Sequence, residues 1–322
     1  MNAKRMQLGN RFQTAAAASL LIDYIYEFET IKNEGDDDIV ITLIDGSVVY
    51  AQAKSSFDES SDNAIRYFKR AMKTLIKDAV APKSHLVYIT NIYKMLGSET
   101  RTDDFSSGIL EQYSNLNEDN KKLVDKYAGT LPLDRFAIQY LKFTGTDDNK
   151  WTSLRAKLGG LFETHEALGK LSAKMVLNTW VIYLDNTASN EDTSTSCSRE
   201  QIVWGMILHK IDRINNDYYN EGNSNYDRIQ SNYDLLISKM TSRFDIISRI
   251  SGDYQMNKDP SKRDSSELFE SFAKLRWEDY IEIIKELDIS TEDRPTVLII
   301  MIRTILEKME VIRSVKREMK IK

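Results

Sequence analysis

The stretch "DIVITLIDGSVVYAQAK", residues 38–54, constrains what this chain can fold into more than any other. Two apolar runs rich in β-branched residues flank Asp45-Gly46, and Asp-Gly between such runs is a strong two-residue hairpin signal. Around the hairpin, "FETIKN" (28–33) reads as a short strand and "SHLVYITN" (84–91) as a buried one. Residues 9–27 carry a helical pattern with Asn10 as N-cap, and an alanine run leads into Leu20, Leu21, Tyr24 and Ile25. A second helix is expected over 61–80, where Ile65, Phe68, Met72, Leu75, Ile76 and Ala79 recur at helical spacing. The element order is therefore α-β-β-β-α-β.

The pattern changes near residue 95, beyond which almost everything reads as helix. Helices are expected near 104–115, 117–128, 150–186, 198–216, 225–250, 265–286 and 292–318. "RFAIQYLKF" (135–143) fits helix or strand, and the polar stretches 185–198 and 215–227 read as loops. The fold class expected is α+β (α/β), with an α/β core over residues 1–95 and a mainly helical region over 96–322. The last segment, from Arg294, is amphipathic with a basic tail, and could pack on its own domain, pair with another copy or dock on a partner.

Several function classes are disfavoured by composition. The longest apolar stretch, "TVLIIMI" at 296–302, falls far short of the ~20 residues of a membrane span. The N-terminal residues lack the apolar core and cleavage site of a signal peptide, so a cytoplasmic location is expected. One cysteine, Cys197, excludes an internal disulfide and fits a reducing compartment, where it would be a partly exposed, unreactive thiol. His85, His165 and His209 show no ligand spacing, so any metal would be held by oxygen. No Gly-x-x-x-x-Gly-Lys or Gly-x-Gly-x-x-Gly loop is present to cradle a nucleotide. The formal net charge is −5, so nucleic-acid binding requires a local basic patch.

Chemistry concentrates at the open end of the hairpin. Alternate strand residues share a face, so Gln52 and Lys54 point the same way, along with Val48 and Tyr50. A two-residue turn pairs Ile44 with Ser47 and sets Ala53 opposite Asp38, leaving Gln52 and Lys54 as diagonal neighbours. A bulge, or a loop one residue longer or shorter, would bring one of them into direct opposition. A carboxylate, an amide oxygen and an ammonium thus converge. Asp38, the Gln52 side-chain carbonyl and the main-chain oxygen of Ala53 could hold Mg²⁺ or Mn²⁺, with Glu34 as a second carboxylate. Lys54 could position a water and offset phosphate charge. Asp23, Glu27 and Glu29 are alternative acids read as surface charges, although Glu27 lies within ~40° of Gln13 around the first helix at 100° per residue.

This arrangement resembles the PD-(D/E)xK nuclease superfamily, and within it the double-stranded-DNA nuclease domain of bacterial anti-phage effectors. The matching pattern is Phe12-Gln13 on the first helix, then Glu34-Gly35-Asp36-Asp37-Asp38-Ile39, then Gln52-Ala53-Lys54. It covers residues ~9–91. The resemblance implies a restriction-endonuclease-like αβββαβ core, Mg²⁺-dependent hydrolysis of double-stranded DNA, and site residues Gln13, Glu34, Asp38, Gln52 and Lys54. No sensor domain for cyclic oligonucleotides is recognisable, which departs from CBASS effectors. That favours a Lamassu-like nuclease subunit, held by partner proteins of which one is SMC-like.

Arg66, Lys69, Arg70, Lys73 and Lys77 form a basic stripe at i, i+3, i+4, i+7 and i+11, opposite the apolar face of their helix. It could meet phosphates or be a solvated face. The tryptophans (Trp151, Trp180, Trp204, Trp277) read as fold. The function expected is a metal-dependent DNA endonuclease, oligomeric and inactive until assembled or released. The alternative is a non-catalytic helical adaptor of a defence complex built on a degenerate nuclease fold.

Overall fold

Ile44, Asp45 and Gly46 form the hairpin loop, and Gly46 adopts φ 81°, a left-handed conformation that other residues enter only at a cost. Leu43 N–H donates to Ser47 O at 2.9 Å, and Gly46 N–H donates to Leu43 O at 2.9 Å. Asp45 locks the turn, since its Oδ1 accepts from Ser47 N at 2.9 Å and from Ser47 Oγ at 2.6 Å. The loop is thus three residues long rather than two, a length that places glycine at the left-handed position. The computed structural model describes residues 2–33, 38–57, 63–80, 82–189, 196–217 and 224–321.

The first elements are α1 (Asn2–Asp23), β1 (Phe28–Asn33), β2 (Asp38–Leu43), β3 (Val48–Lys54), α2 (Ala64–Asp78) and β4 (Ser84–Thr90). Their order is the one read from the sequence. Then follow β5 (Leu110–Gln112), α3 (Glu118–Ala128), β6 (Phe136–Tyr140), α4 (Asp147–Lys150), α5 (Thr152–Glu163), α6 (Ala173–Ser189) and β7 (Cys197–Ser198). The helices α7 (Arg199–Asp217), α8 (Ser224–Met240), α9 (Phe244–Asn257), α10 (Ser266–Arg276) and α11 (Arg294–Glu318) complete the chain.

The protein is a mixed α/β molecule. Seven strands form one open sheet in the order β5-β6-β4-β3-β2-β1-β7. β3, β4 and β6 run parallel, and the remaining pairs are antiparallel. Thr14 of α1 meets Asn33, which pairs with Ile39 and through it with Ala51, so α1 covers the face of Ile39, Val49 and Ala51. The other face, with Tyr50, Leu86 and Tyr88, packs on Phe68, Ala71, Met72 and Leu75 of α2. Both faces are therefore covered, which suits a sheet containing parallel strands.

Several expectations beyond residue 95 change. The segment 104–115 is not a helix: Gly108 takes φ 84° and donates to Tyr140 O at 2.8 Å, which turns the chain into edge strand β5. Residues 135–143 resolve to strand, as β6 between β4 and β5. The stretch 150–186 breaks at Gly169-Lys170, where Lys170 sits at φ 66°. The stretch 225–250 breaks between α8 and α9, and 265–286 ends as 3-10 turns over Trp277–Ile283. The boundary expected near residue 95 falls inside the sheet, because β6 pairs with β4 and β7 with β1. The chain divides instead into Met1–Met206 and Ile207–Lys322.

The second unit has its own core. Ile229, Ile246, Ile250, Phe269, Tyr280 and the buried face of α11 (Val297, Leu298, Met301, Ile302, Ile305) form a single cluster. Arg303 is buried there but paired, with Glu307 at 3.2 Å and Glu270 at 3.6 Å, as a buried charge must be. Before α11, Asp293 accepts hydrogen bonds from both terminal nitrogens of Arg228 and from the Tyr233 hydroxyl at 3.0 Å. The Arg228 bonds, helped by Ser290, hold the Asp293 carboxyl down at about 2. A carboxyl depressed in the folded state adds stability above its ordinary value of 3.8, and that stability fades as pH falls towards 2. Asp293→Asn should therefore lower the melting temperature at pH 7 by a few degrees and flatten its decline between about pH 4 and 2. Thermal unfolding followed by circular dichroism across that range measures both effects.

Candidate functional site

The three-residue loop sets the register of the sheet end where the polar residues gather. Thr42 pairs with Val48 and, at the far end, Asp38 pairs directly with Gln52. Sequence counting set Ala53 there; the extra loop residue moves the partner by one. Directly opposed residues share a face and have Cα atoms about 4.5–5.5 Å apart. Asp38, Gln52 and Lys54 thus occupy positions on the face covered by α2. Glu34, with Gly35, Asp36 and Asp37, lies outside the described residues, as does the side chain of Asp38. The backbone of Asp38 opens β2.

Gln52 is fully buried and Lys54 half-buried. Beside them in the parallel ladder, Gln52 pairs with Tyr88 and Lys54 with Thr90. Tyr88 is also fully buried, its ring edge-on to Phe68 at 5.2 Å, and burial raises its hydroxyl pKa well above the ordinary 10.0. The floor of the site is therefore apolar, and a charge at its rim acts through a lower effective dielectric than in water. The strand end is tied down from outside. Asn91 is fully buried, and its side chain accepts from Ser56 N at 2.8 Å and donates to Ser56 O at 2.7 Å. This pair fixes the chain two residues beyond Lys54 to the end of β4. Sequence reading missed Asn91; the signal was an amide closing the strand that lies beside Lys54.

Gln13 stands apart from this group. It is half-buried on α1, over the opposite face, although its neighbour Thr14 touches Asn33 and so marks the same end of the sheet. Phe12 is core, 1% exposed and edge-on to Phe143 at 5.5 Å. The alternative acids lie elsewhere. Helix α1 ends at Asp23, so Glu27 shares no helix with Gln13. Asp23 is no plain surface charge: Lys157 Nζ meets it at 2.7 Å and Gln139 Nε2 at 3.1 Å. Burial raises the Asp23 carboxyl and lowers the Lys157 ammonium, and the attraction between them opposes both shifts. Glu27 lines a shallow depression of about 380 Å³ with Tyr26, Ile44, Asp45 and His85, at the turn end of the sheet rather than the Asp38 end.

Among the described residues, no three His, Cys, Asp or Glu side chains gather. A cation held here would rest on Asp38, the Gln52 carbonyl and neutral oxygens, a donor set that suits a hard ion retaining several waters. Cys197 is 2% exposed in β7, and burial pushes its thiol up to about 12, so it is an inert core group rather than a partly exposed one. Trp180 is core and donates to Ile202 O at 3.1 Å, whereas Trp204 is 44% exposed.

The α2 stripe runs from the site end of the sheet towards the turn end, since α2 follows β3 and leads back to β4. Arg66, Lys69, Arg70, Lys73 and Lys77 are all exposed, with Phe68, Ala71, Met72 and Leu75 buried beneath. Of the five, Arg66, Lys69 and Arg70 belong to the two helical turns that begin beside the Lys54 end. Lys77 lies about 17 Å beyond Arg66 along the helix axis. Among the described residues, no helix is long and apolar enough to cross a membrane.

No protein-family model matches the sequence, and no curated protein matches it. Among solved structures, the chain is similar to the Moraxella osloensis Cap4 SAVED/CARF-domain containing receptor, with a TM-score of 0.41 and 14% identity. That similarity covers 62% of this chain and 47% of the receptor, so this chain spans about half of its length. The Acinetobacter baumannii Cap4 SAVED/CARF-domain containing receptor gives a TM-score of 0.42 and 14% identity, over 84% of this chain and 66% of the receptor. The same receptor with the cyclic trinucleotide 2'3'3'-cAAA gives 0.41 and 14%, over 84% and 64%.

If Asn91 anchors the strand end, Asn91→Ala should destabilise the fold by about 1–3 kcal/mol, the cost of stranding the Ser56 N–H and carbonyl. Urea unfolding of wild type and variant measures it.

Proposed function

We propose that this chain is a metal-dependent deoxyribonuclease with a restriction-endonuclease-like core, acting as the effector subunit of a bacterial anti-phage or anti-plasmid defence system of Lamassu type. The observation that supports this most is the register: Asp38 is paired directly with Gln52, and Lys54 lies two residues on along the same face. The α-β-β-β-α-β order around it agrees with the family pattern that the motifs resemble. The defence context rests on that motif pattern alone.

Asp38 and the Gln52 carbonyl would hold Mg²⁺ or Mn²⁺, with Glu34 as a further carboxylate; Gln13, on α1 over the opposite face, stands outside this ligand set. Bound there, the ion would supply Lewis-acid stabilisation of charge on the scissile phosphate. The chain's own residues do the rest. Lys54 orients the attacking water in line with the phosphorus and offsets charge on the phosphoryl oxygens. The buried Gln52–Tyr88 floor excludes bulk water from beneath them. The exposed cations of α2 hold the DNA backbone. Control resides in the helical unit from Ile207 onwards, through self-assembly or release from an SMC-like partner.

The test is cleavage of a supercoiled plasmid by purified protein with Mg²⁺, with and without partner subunits. Lys54→Ala and Asp38→Ala should each reduce cutting at least 100-fold, the scale of losing one preorganised charge-stabilising group. Equal cutting by wild type and both variants would remove this site. No cutting by any preparation would favour the non-catalytic adaptor.

A further inference from the structure

The cationic surface of α2 continues onto a second helix. α3 packs beside α2, with Leu123, Val124 and Ala128 in the same buried cluster as Phe68, Met72 and Leu75. On the seam between them, the Tyr127 ring has Lys69 Nζ at 4.8 Å from its centroid and Lys126 Nζ at 5.2 Å. Two ammonium groups, one from each helix, share one aromatic ring, and both approach it closely enough for a favourable cation–π contact.

The neutralisation pattern on these helices is uneven. Lys121 is paired with Glu118 at 3.1 Å and Lys122 approaches Asp119 at 3.9 Å. Asp125, next to Lys126, accepts instead from the Tyr113 hydroxyl at 2.7 Å. Arg66, Lys69, Arg70, Lys73, Lys77 and Lys126 have no carboxylate within ion-pair distance among the described residues. The chain as a whole carries −5, with acids in excess, yet these cations form no ion pair among the described residues. Like charges held together without counter-charges repel, and an anionic ligand relieves that cost. The cations also lie in a line. From Arg66 to Lys77 the helix advances about 17 Å, the length of about five phosphate steps on one strand of a duplex.

We propose that α2 and α3 together form a surface for the backbone of double-stranded DNA, with Lys69, Tyr127 and Lys126 as its second line of contact. This surface holds the duplex without metal and without the Asp38–Gln52–Lys54 chemistry. It rests on the reading that the ligand is DNA, but not on the chain being able to cut it. Each lysine that contacts a phosphate releases condensed counterions, so its removal appears in the salt dependence of binding. A lysine already paired with a carboxylate contributes little.

The experiment is fluorescence anisotropy of the full chain with a labelled duplex in EDTA, repeated across 50–200 mM KCl. Lys69→Ala with Lys126→Ala should weaken binding about tenfold at the upper end of that range and reduce the slope of log K against log salt by about 2. Lys121→Ala with Lys122→Ala should leave the slope unchanged; Lys69, Lys122 and Lys126 are exposed and Lys121 half-buried. Wild-type affinity and slope in the first double variant would overturn the proposal, even if the protein cuts plasmid. Tighter binding of a polyglutamate peptide than of the duplex would also overturn it, in favour of an acidic protein partner. Loss of binding in that variant, with plasmid never cut, would keep the surface and remove only the nuclease reading.

Discussion

The candidate site depends first on a backbone dihedral at its opposite end. Gly46 at φ 81° closes a loop of three residues, and that loop length pairs Asp38 with Gln52 rather than with Ala53. Strand residues alternate faces, so a slip of one residue would send Gln52 and Lys54 to the side of α1 and Asn33. It would also take Ile39, Ile41, Val49 and Ala51 out of their packing under α1. The packing of Ile39, Ile41, Val49 and Ala51 therefore enforces the same register as the turn. A substitution at Gly46 would act on the polar cluster from about six to eight residues away, through the ladder.

Much of this was legible in the sequence, because local signals decide it. The Asp-Gly turn, the period-two runs on either side and the helical spacing of Phe68, Met72 and Leu75 each act within a few residues. The rest depends on partners far away in the chain. β6 has a sequence that fits helix or strand, and only its place between β4 and β5 settles it. β7 is two residues long and pairs with β1 across more than 160 positions, so no window of sequence could reveal it. The boundary near residue 95 fell to the same cause: composition turned helical there, while the sheet went on recruiting strands. At the site, the identities of Asp38, Gln52 and Lys54 were readable, but Asn91, Lys126 and Tyr127 gain meaning only from their neighbours in space.

The two faces of the sheet hold their charges in different ways. Under α1 the polar groups are satisfied within the protein: Lys157 spans to Asp23, Ser19 Oγ and Ser19 O, and Gln139 reaches Asp23 and Gly108 O. Desolvation there works against both charges, and close pairing offsets it. On the α2 face the cations stay exposed and, among the described residues, form no ion pairs. A buried ion pair organises a fold, whereas an exposed unpaired row organises an encounter with something outside it. The division explains how an acidic chain can present a basic surface.

The choice of glutamine at position 52 follows from the same electrostatics. This side chain is fully buried beside Tyr88 and directly across from Asp38. A glutamate there would place a second carboxylate in an apolar setting at the position paired with Asp38, and both desolvation and repulsion would drive it to protonate. A glutamine keeps the oxygen donor without the charge. In the proposed reading the consequence is a cation site with few protein charges, weak alone and strengthened by phosphate oxygens brought in with the nucleic acid. Cation and DNA would then favour one another's binding, by equal free energies in each direction. The exposed row on α2 and α3, by collecting the duplex first, would raise the occupancy of a cation site that burial has kept low in charge.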